Sequence, residues 1–261
     1  MRFPEFLKKN GTIGFVAPSF GCNIEPYKTS FNHALEKFHE MGYQTTLGPN
    51  CFEGSGIGIS NTPEKCAAEL NKMYLSDEAD AIISCGGGEL MCEILDDVDF
   101  DAIKAAKPKW YMGYSDNTNF TFLLTTICDV ASIYGPCAGT FGMEPWDESI
   151  EDCFSLFTGK KLTMQSYPLW EKEGLRDEEH PLEPYNLTEQ SLVRSFMTKK
   201  DQAGEVQAFE TEGNIEFKGR LIGGCMDCLV NLTGTKFDQV KSFNERYKED
   251  GVIWYLESCD L

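Results

Sequence analysis

The chain has 261 residues, of which 41% are hydrophobic and 25% charged, and its formal net charge is -19. This length and apolar fraction allow two modest domains with cores of their own. The excess of acidic residues argues against nucleic acid and anionic membrane surfaces as partners, because phosphate contacts require clustered lysines and arginines that the sequence does not show.

Two further features concern the compartment. The N-terminus lacks the apolar run of a secretory signal, and no segment approaches the roughly twenty apolar residues of a membrane span, so we expect a cytoplasmic protein. Eleven cysteines, an odd number, are spread through presumed core segments, where thiols behave as small hydrophobes. A reducing compartment fits this pattern better than a disulfide framework.

The first 160 residues alternate between strand-like and helix-like patterns. Predicted strands cover residues 11–17, 43–47, 79–85, 110–112 and 131–134, and predicted helices cover residues 26–42, 62–74 and 120–127. Strands separated by helices of this length predict an α/β fold with a mostly parallel sheet and helices on both faces.

In such a sheet, reactive groups gather beyond the carboxyl ends of the strands. Three predicted loops lie there, at residues 18–21, 86–89 and 114–116. The triple glycine of the second loop could donate N–H groups to a phosphate, but it lacks the lysine and Ser/Thr of a P-loop and the spacing of a dinucleotide fingerprint. We therefore favour Gly87 or Gly88 as a backbone donor to an oxyanion.

The most informative motif is Gly-Tyr-Ser-Asp at residues 113–116, which ends an apolar run and precedes a predicted helix. A serine at such a corner projects its hydroxyl from the sheet edge, so Ser115 is the predicted nucleophile and the N–H of Asp116 a predicted oxyanion donor. The motif departs from Gly-x-Ser-x-Gly at Asn117, a residue type that tolerates positive φ better than most. The alternative is a Ser-Asp helix cap after a buried strand.

The sequence changes character near residue 165, where a polar, acidic, proline-bearing stretch begins. We divide the chain into an N-terminal α/β domain at 1–164, a linker or active-site flap at 165–190, and part of a C-terminal domain at 191–261. In the last part, residues 207–210 and 214–218 alternate like exposed antiparallel strands. Residues 220–224 are predicted to close a turn, 226–232 to begin a helix, and 252–256 to form a buried strand.

A serine nucleophile needs a base, and the chain offers three histidines. His33 and His39 lie six residues apart on the first helix, hence on different faces, and His180 lies among acidic residues in the polar stretch, which is typical of a solvated loop residue. None of them has a convincing catalytic setting. Glu257 follows an apolar strand directly and could orient an imidazole supplied from elsewhere, although a strand-end acid facing water is the alternative.

Cys225-Met-Asp-Cys228 has redox or zinc spacing, but no second Cys/His pair completes four ligands. Two half-buried thiols near a helix start explain the motif. We therefore predict neither a metal nor another cofactor.

Seven segments, in order along nearly the whole chain, resemble the LD-carboxypeptidase family of serine peptidases, which also contains the microcin C self-immunity hydrolases. They are residues 12–19, 86–88 with 94–96, 113–116, 134–136, 221–224, 232–235 and 256–257. The resemblance implies that Ser115 is the nucleophile and Glu257 the acid of a Ser-His-Glu triad. It also implies that the second, smaller domain is β-rich and that the site lies between the two domains.

The typical family reaction hydrolyses the amide between the L-centre of a diamino acid and D-alanine in cytoplasmic murein tetrapeptides, as in peptidoglycan recycling. Immunity-type members instead cleave an aminoacyl-nucleotide amide. The implied partner is thus a small peptide or an aminoacyl nucleotide, and the family often forms dimers. Residues 134–136 and Trp170 look more like the second group, in which an aromatic ring could stack on a base.

The family carries its triad histidine beyond the strand that precedes Glu257, whereas no histidine follows Glu257 here. The resemblance therefore implies a fragment or a shortened variant. Loss of a triad member costs several orders of magnitude in rate. We expect little or no activity from these 261 residues, and a catalytically inactive binding protein is the alternative.

Overall fold

A five-stranded parallel sheet forms the centre of the protein, in a computed structural model that describes residues 1–56, 58–211 and 215–258. The strands are β1 (Thr12–Val16), β2 (Gln44–Leu47), β3 (Ala81–Ser84), β4 (Tyr111–Gly113) and β5 (Ile133–Tyr134). Their order is β2-β1-β3-β4-β5, and every neighbouring pair is parallel. The predicted parallel α/β sheet is confirmed.

Helices cover both faces of this sheet because its strands carry apolar side chains on alternate sides. The helices are α1 (Tyr27–Glu40), α2 (Pro63–Leu75), α3 (Phe100–Ala105), α4 (Thr118–Thr126) and α5 (Glu148–Phe157). Ile82 packs with residues of α2, α3 and α4 in one buried cluster. Its neighbour Ile83 packs with residues of α1 and α5 in the other. The sequence predicted α1, α2 and α4, but not α3 or α5.

Beyond residue 165 the chain forms three two-stranded sheets and two short helices. The elements are β6 (Leu169–Glu171), β7 (Leu187–Gln190), β8 (Phe196–Lys200), β9 (Val206–Glu210), β10 (Arg220–Cys225), α6 (Met226–Leu232), α7 (Val240–Arg246) and β11 (Val252–Glu257). β6 pairs antiparallel with β7 and β8 with β9, whereas β10 and β11 are parallel. In the described ranges, no helix has the length and apolarity needed to cross a membrane.

The prediction of a turn at residues 220–224 was wrong, because these residues form most of strand β10. Its two glycines do not serve a turn. A Cβ on Gly223 would clash with the carbonyl oxygen of Tyr255, and one on Gly224 would lie 2.5 Å from Thr118 Oγ1. They allow β10 to approach both β11 and α4 closely, which a sequence pattern does not distinguish from a turn.

Two other C-terminal predictions also needed correction. Strand β11 is present but is not buried, since Trp254 is 44% and Leu256 54% exposed. The predicted strand at 214–218 is absent over residues 215–218, and residue 214 lies outside the described residues. The strand at 207–210 pairs instead with β8. Apolar residues of both β8 and β9 are exposed. The sequence pattern therefore showed no clear buried face from which strand pairing could be assigned.

Candidate active site

Ser115 occupies the predicted corner between a strand and a helix. It follows β4, begins a short 3-10 helix at Ser115–Asn117, and is followed by α4. Its φ is +60°, a left-handed conformation that costs a non-glycine residue energy and is held by surrounding contacts. The Ser115 N–H donates a 2.7 Å hydrogen bond to the hydroxyl of Tyr134. The corner that the sequence predicted is therefore present, with its strain at the serine itself.

Asn117 has a different role from the one its position suggested. Its φ is -60°, so the motif does not need an amino acid that tolerates positive φ at this position. Its buried amide nitrogen donates to the carbonyl oxygens of Gly86 at 2.9 Å and Tyr114 at 3.1 Å. Its amide oxygen accepts a 2.5 Å hydrogen bond from Tyr111. Asn117 thus ties the glycine loop to the serine corner, which a glycine could not do.

The two predicted glycine donors face different surroundings. A Cβ on Gly87 would lie 3.0 Å from Ser115 Cβ and 3.2 Å from Ser115 Oγ. A Cβ on Gly88 would instead clash with Ser19 Oγ and the carbonyl oxygen of Gly58. The backbone of Gly87 therefore lies directly beside the predicted nucleophile, while Gly88 packs against the loop after β1.

The side chain of Asp116 is buried and joins three loops at the carboxyl edge of the sheet. Its Oδ2 accepts hydrogen bonds from the hydroxyl of Ser19 and, at 2.9 Å, from the N–H of Met91. Its Oδ1 accepts one from Asn119 at 2.9 Å. Desolvation raises the pKa of Asp116, and these donors oppose the rise. The carboxylate does not cap the following helix, so the alternative of a Ser-Asp cap is not supported.

Glu257 is connected to the serine corner through one phenol. Its exposed carboxylate accepts a 2.5 Å hydrogen bond from the hydroxyl of Tyr134, the same hydroxyl that accepts the Ser115 N–H. Desolvation and the nearby Glu257 charge raise the pKa of Tyr134, so the phenol stays neutral and donates. Sequence reasoning missed this link. Its signal was that Tyr134 ends β5 opposite Gly113 of β4, at the sheet edge where Ser115 begins.

The histidines and Trp170 lie elsewhere. His33 Nδ1 lies 2.8 Å from the carbonyl oxygen of Gly142, His39 Nε2 lies 2.7 Å from Thr45 Oγ1, and His180 Nδ1 lies 3.1 Å from Asp177 Oδ1. Trp170 is half-exposed in β6. Across residues 1–56, 58–211 and 215–258, no hydrogen bond joins any of these four side chains to Ser115 or Glu257. The ligand-stacking role of Trp170 stays a prediction.

The Cys225 and Cys228 thiols also lie near the corner. Cys225 is buried and Cys228 half-buried, with Cys228 Sγ 3.9 Å from the carbonyl oxygen of Ser115 and from Asp116 Oδ1. Desolvation and the charge of Asp116 raise the pKa of Cys228, which disfavours a reactive thiolate. Within the part of the chain that the structure describes, no group of three or more His, Cys, Asp or Glu residues could hold a metal ion.

Comparison with known proteins finds one family whose model matches the part of the chain that holds the serine corner. Residues 13–135 match the family model described as the LD-carboxypeptidase N-terminal domain, and this range contains Gly87, Ser115, Asp116 and Tyr134. The N-terminal part of the chain is therefore similar to the LD-carboxypeptidase family. Glu257 lies outside the range matched by the family model.

Two curated relatives and one solved structure show how far the similarity extends. The Microcin C7 self-immunity protein MccF of Escherichia coli is 28% identical over 234 residues, covering 88% of this chain and 63% of the relative. A probable murein peptide carboxypeptidase of Bacillus subtilis (strain 168) is 30% identical over 140 residues, covering 52% and 41%. The structure of MccF in complex with glutamyl sulfamoyl guanosine has a TM-score of 0.77 at 23% identity, covering 98% and 70%. The chain thus spans less than two thirds of the length of those two curated relatives.

Proposed function

We propose that this protein is a serine hydrolase of the LD-carboxypeptidase family and cleaves an amide bond in a small peptide, with Ser115 as nucleophile. The observation that carries the proposal is the strained Ser115 corner with the Gly87 backbone beside its hydroxyl. A hydroxyl in this setting faces backbone amides that lack a partner within a helix. The match of residues 13–135 to the LD-carboxypeptidase family model supports the same reaction class.

In the proposed reaction, Ser115 Oγ attacks the substrate carbonyl carbon while a base takes its proton. The carbonyl oxygen becomes an oxyanion, which the N–H groups of Asp116 and Gly87 stabilise. Collapse of this intermediate expels the amine, which takes the proton back from the base, and leaves an acyl group on Ser115. Water then attacks the acyl group by the same route and releases the acid.

The described contacts show no side chain of this protein that could act as the base. Its three histidines bond elsewhere, whereas the Glu257 carboxylate is exposed beside the serine corner. We therefore expect slow turnover by the 261-residue protein, and we expect added imidazole to raise the rate, because Glu257 would orient it as the family's acid orients a histidine.

The test measures product release by mass spectrometry, with and without imidazole. The substrates are a peptide ending in L-lysyl-D-alanine and an aminoacyl nucleotide. Ser115→Ala should abolish turnover under both conditions, whereas Ser166→Ala, an exposed serine between α5 and β6, should leave it unchanged. Equal turnover by Ser115→Ala and the unmodified protein would refute the assignment of the nucleophile.

A second candidate is cleavage of an aminoacyl-nucleotide amide. The observation in its favour is coverage: similarity to MccF extends over 88% of this chain, against 52% for the murein peptide carboxypeptidase. The same assay separates the two, because the preferred substrate has the higher kcat/KM. If both substrates bind and neither is cleaved with imidazole present, the protein is a binding protein that keeps the family's cleft.

A further inference from the structure

The loop between β6 and β7, residues 172–186, is fixed against the N-terminal domain; we name it the flap loop. Ser30 of α1 donates a 2.5 Å hydrogen bond to the carbonyl oxygen of Pro181. The N–H of Glu144 donates one of 2.9 Å to the carbonyl oxygen of Leu182. At the base of the loop, the N–H of Asn186 donates to the Glu171 carboxylate at 2.6 Å. These bonds hold the backbone of the flap loop beside α1 and the segment that precedes α5.

Arg176 of the flap loop lies over the ring of Tyr27, and its charge acts on two further tyrosines, Tyr114 and Tyr185. Its guanidinium carbon is 5.6 Å from the ring centre of Tyr27, within the range of a cation–π contact. Desolvation raises the pKa of Tyr114, although 42% of that residue is exposed, and the positive charge of Arg176 opposes the rise. The same charge opposes the rise of the Tyr185 pKa to about 12. Tyr114 immediately precedes Ser115 in the chain.

A continuous wall of contacts leads from Arg176 to the predicted nucleophile. The ring centre of Tyr27 lies 5.2 Å from that of Phe20, which belongs to the loop after β1. Phe20 Cδ1 would lie 2.9 Å from a Cβ on Gly86, and the next residue, Gly87, lies beside Ser115. The guanidinium therefore stands at the far end of the surface that begins at the serine hydroxyl.

Arg176 is also unusual in lacking a partner within the described ranges. The other four arginines, Arg2, Arg194, Arg220 and Arg246, each bond a carbonyl oxygen or a carboxylate. Arg176 is half-buried and bonds to neither, in a chain with 42 acidic residues. Partial burial of an unpaired charge costs free energy. An anion that binds the guanidinium would offset this free-energy cost, which explains why the arginine has no acidic partner among the described residues.

We propose that Arg176 binds the anionic end of the substrate, which for the proposed peptidase is the C-terminal carboxylate of the peptide. The guanidinium presents paired N–H donors that match a carboxylate, and its carbon lies over the ring of Tyr27. Other charged groups at the serine corner are carboxylates, namely Asp116, Glu89, which acts on Asp116, and Glu257. Arg176 therefore attracts an anionic substrate that these carboxylates repel. This inference rests on the proposed function.

The test compares Arg176→Gln and Arg176→Lys with Lys172→Gln, which removes an exposed charge from the same loop. Isothermal titration calorimetry measures the affinity of each variant for a peptide ending in L-lysyl-D-alanine and for the same peptide as its C-terminal amide. Arg176→Gln should weaken binding of the acid by about 10- to 100-fold and leave binding of the amide unchanged. Arg176→Lys should recover part of the loss, and Lys172→Gln should match the unmodified protein.

Where turnover is measurable, Arg176→Gln should raise KM for the acid and change kcat little. An equal loss on acid and amide, or no loss on either, overturns the inference. Both results leave Ser115-dependent hydrolysis intact, so they do not bear on the proposed function. A parallel titration with an aminoacyl nucleotide and its nucleoside identifies the anion: a loss confined to the nucleotide shows that Arg176 binds a phosphoryl group.

Discussion

The backbone of Ser115 is held in its strained conformation by its neighbours. Its N–H is bonded to Tyr134, and the N–H of Asn117 closes the turn onto the carbonyl oxygen of Tyr114 at 3.2 Å. The sequence predicted the corner because an apolar run stopped at a glycine before a helix. It did not predict which residue takes the positive φ, since that depends on the phenol of Tyr134, which arrives from another strand.

A methyl group on Gly87 should impair catalysis without unfolding the protein. Gly87→Ala would place a carbon 3.0 Å from Ser115 Cβ, which forces the loop and its N–H away from the oxyanion. We expect kcat, with imidazole where turnover requires it, to fall by about 10²- to 10³-fold, as when one oxyanion donor is lost. Gly139→Ala is the matched control, because a Cβ there meets nothing within 4 Å. Unchanged kcat for Gly87→Ala would exclude this loop from the oxyanion site.

Among the secondary-structure elements, α4 connects the Ser115 corner to strand β10, which pairs with the strand β11 that ends at Glu257. It follows the Ser115 corner directly, and Thr118 Oγ1 accepts a buried 2.9 Å hydrogen bond from the N–H of Cys225 at the end of β10. The sequence predicted α4 and the five central strands because short apolar segments alternate there with turn residues. It failed at β10, whose glycines indicate a turn unless the close neighbours are known.

Removal of the Thr118 hydroxyl should destabilise the fold. Thr118→Val keeps the side-chain shape but leaves the Cys225 N–H buried and unpaired, which costs about 1–3 kcal/mol of unfolding free energy. Thr126→Val on the same helix removes a hydroxyl that donates only to the carbonyl oxygen of Phe122 within α4. We expect a smaller loss for the control, measured by urea denaturation. Equal losses would show that the α4–β10 contact contributes no stability of its own.

At the scale of the whole molecule, stability depends on buried acidic residues that cannot be distinguished from exposed ones by sequence pattern. Glu69 of α2 is buried, and its two carboxylate oxygens accept the N–H groups of Ala17 at 2.7 Å and Asn50 at 2.8 Å. Desolvation raises the pKa of Glu69 above its ordinary 4.5. Among 42 acidic residues, a pattern of sequence does not show which carboxylate joins the loops after β1 and β2.

The raised pKa of Glu69 has a defined sign in the pH dependence of stability. The folded state holds its proton to higher pH than the unfolded state, so this contribution is complete below pH 4.5 and is lost as pH rises through the folded pKa. The stability of the unmodified protein relative to Glu69→Gln should therefore fall with rising pH, by at most about 1.4 kcal/mol per pH unit.

Urea denaturation between pH 5 and pH 8 checks this prediction. Glu64→Gln, on the same helix, is the control, because the lowered pKa of Glu64 confines its effect to more acid solution. A difference between the unmodified protein and Glu69→Gln that grows as pH rises would contradict the prediction. The expected homodimer stays a prediction at this scale, and light scattering of the purified protein measures it directly.

The double use of the Tyr134 hydroxyl limits how an inhibitor can engage the site. Because the amide of Ser115 is already bonded to that phenol, a boronic acid attached to the serine has the amides of its two neighbours, Asp116 and Gly87, for one hydroxyl. In the proposed mechanism, its other hydroxyl points toward Glu257, which accepts from the same phenol. Inhibitors whose serine-reactive group carries one small polar substituent should therefore bind more tightly than those with two bulky substituents.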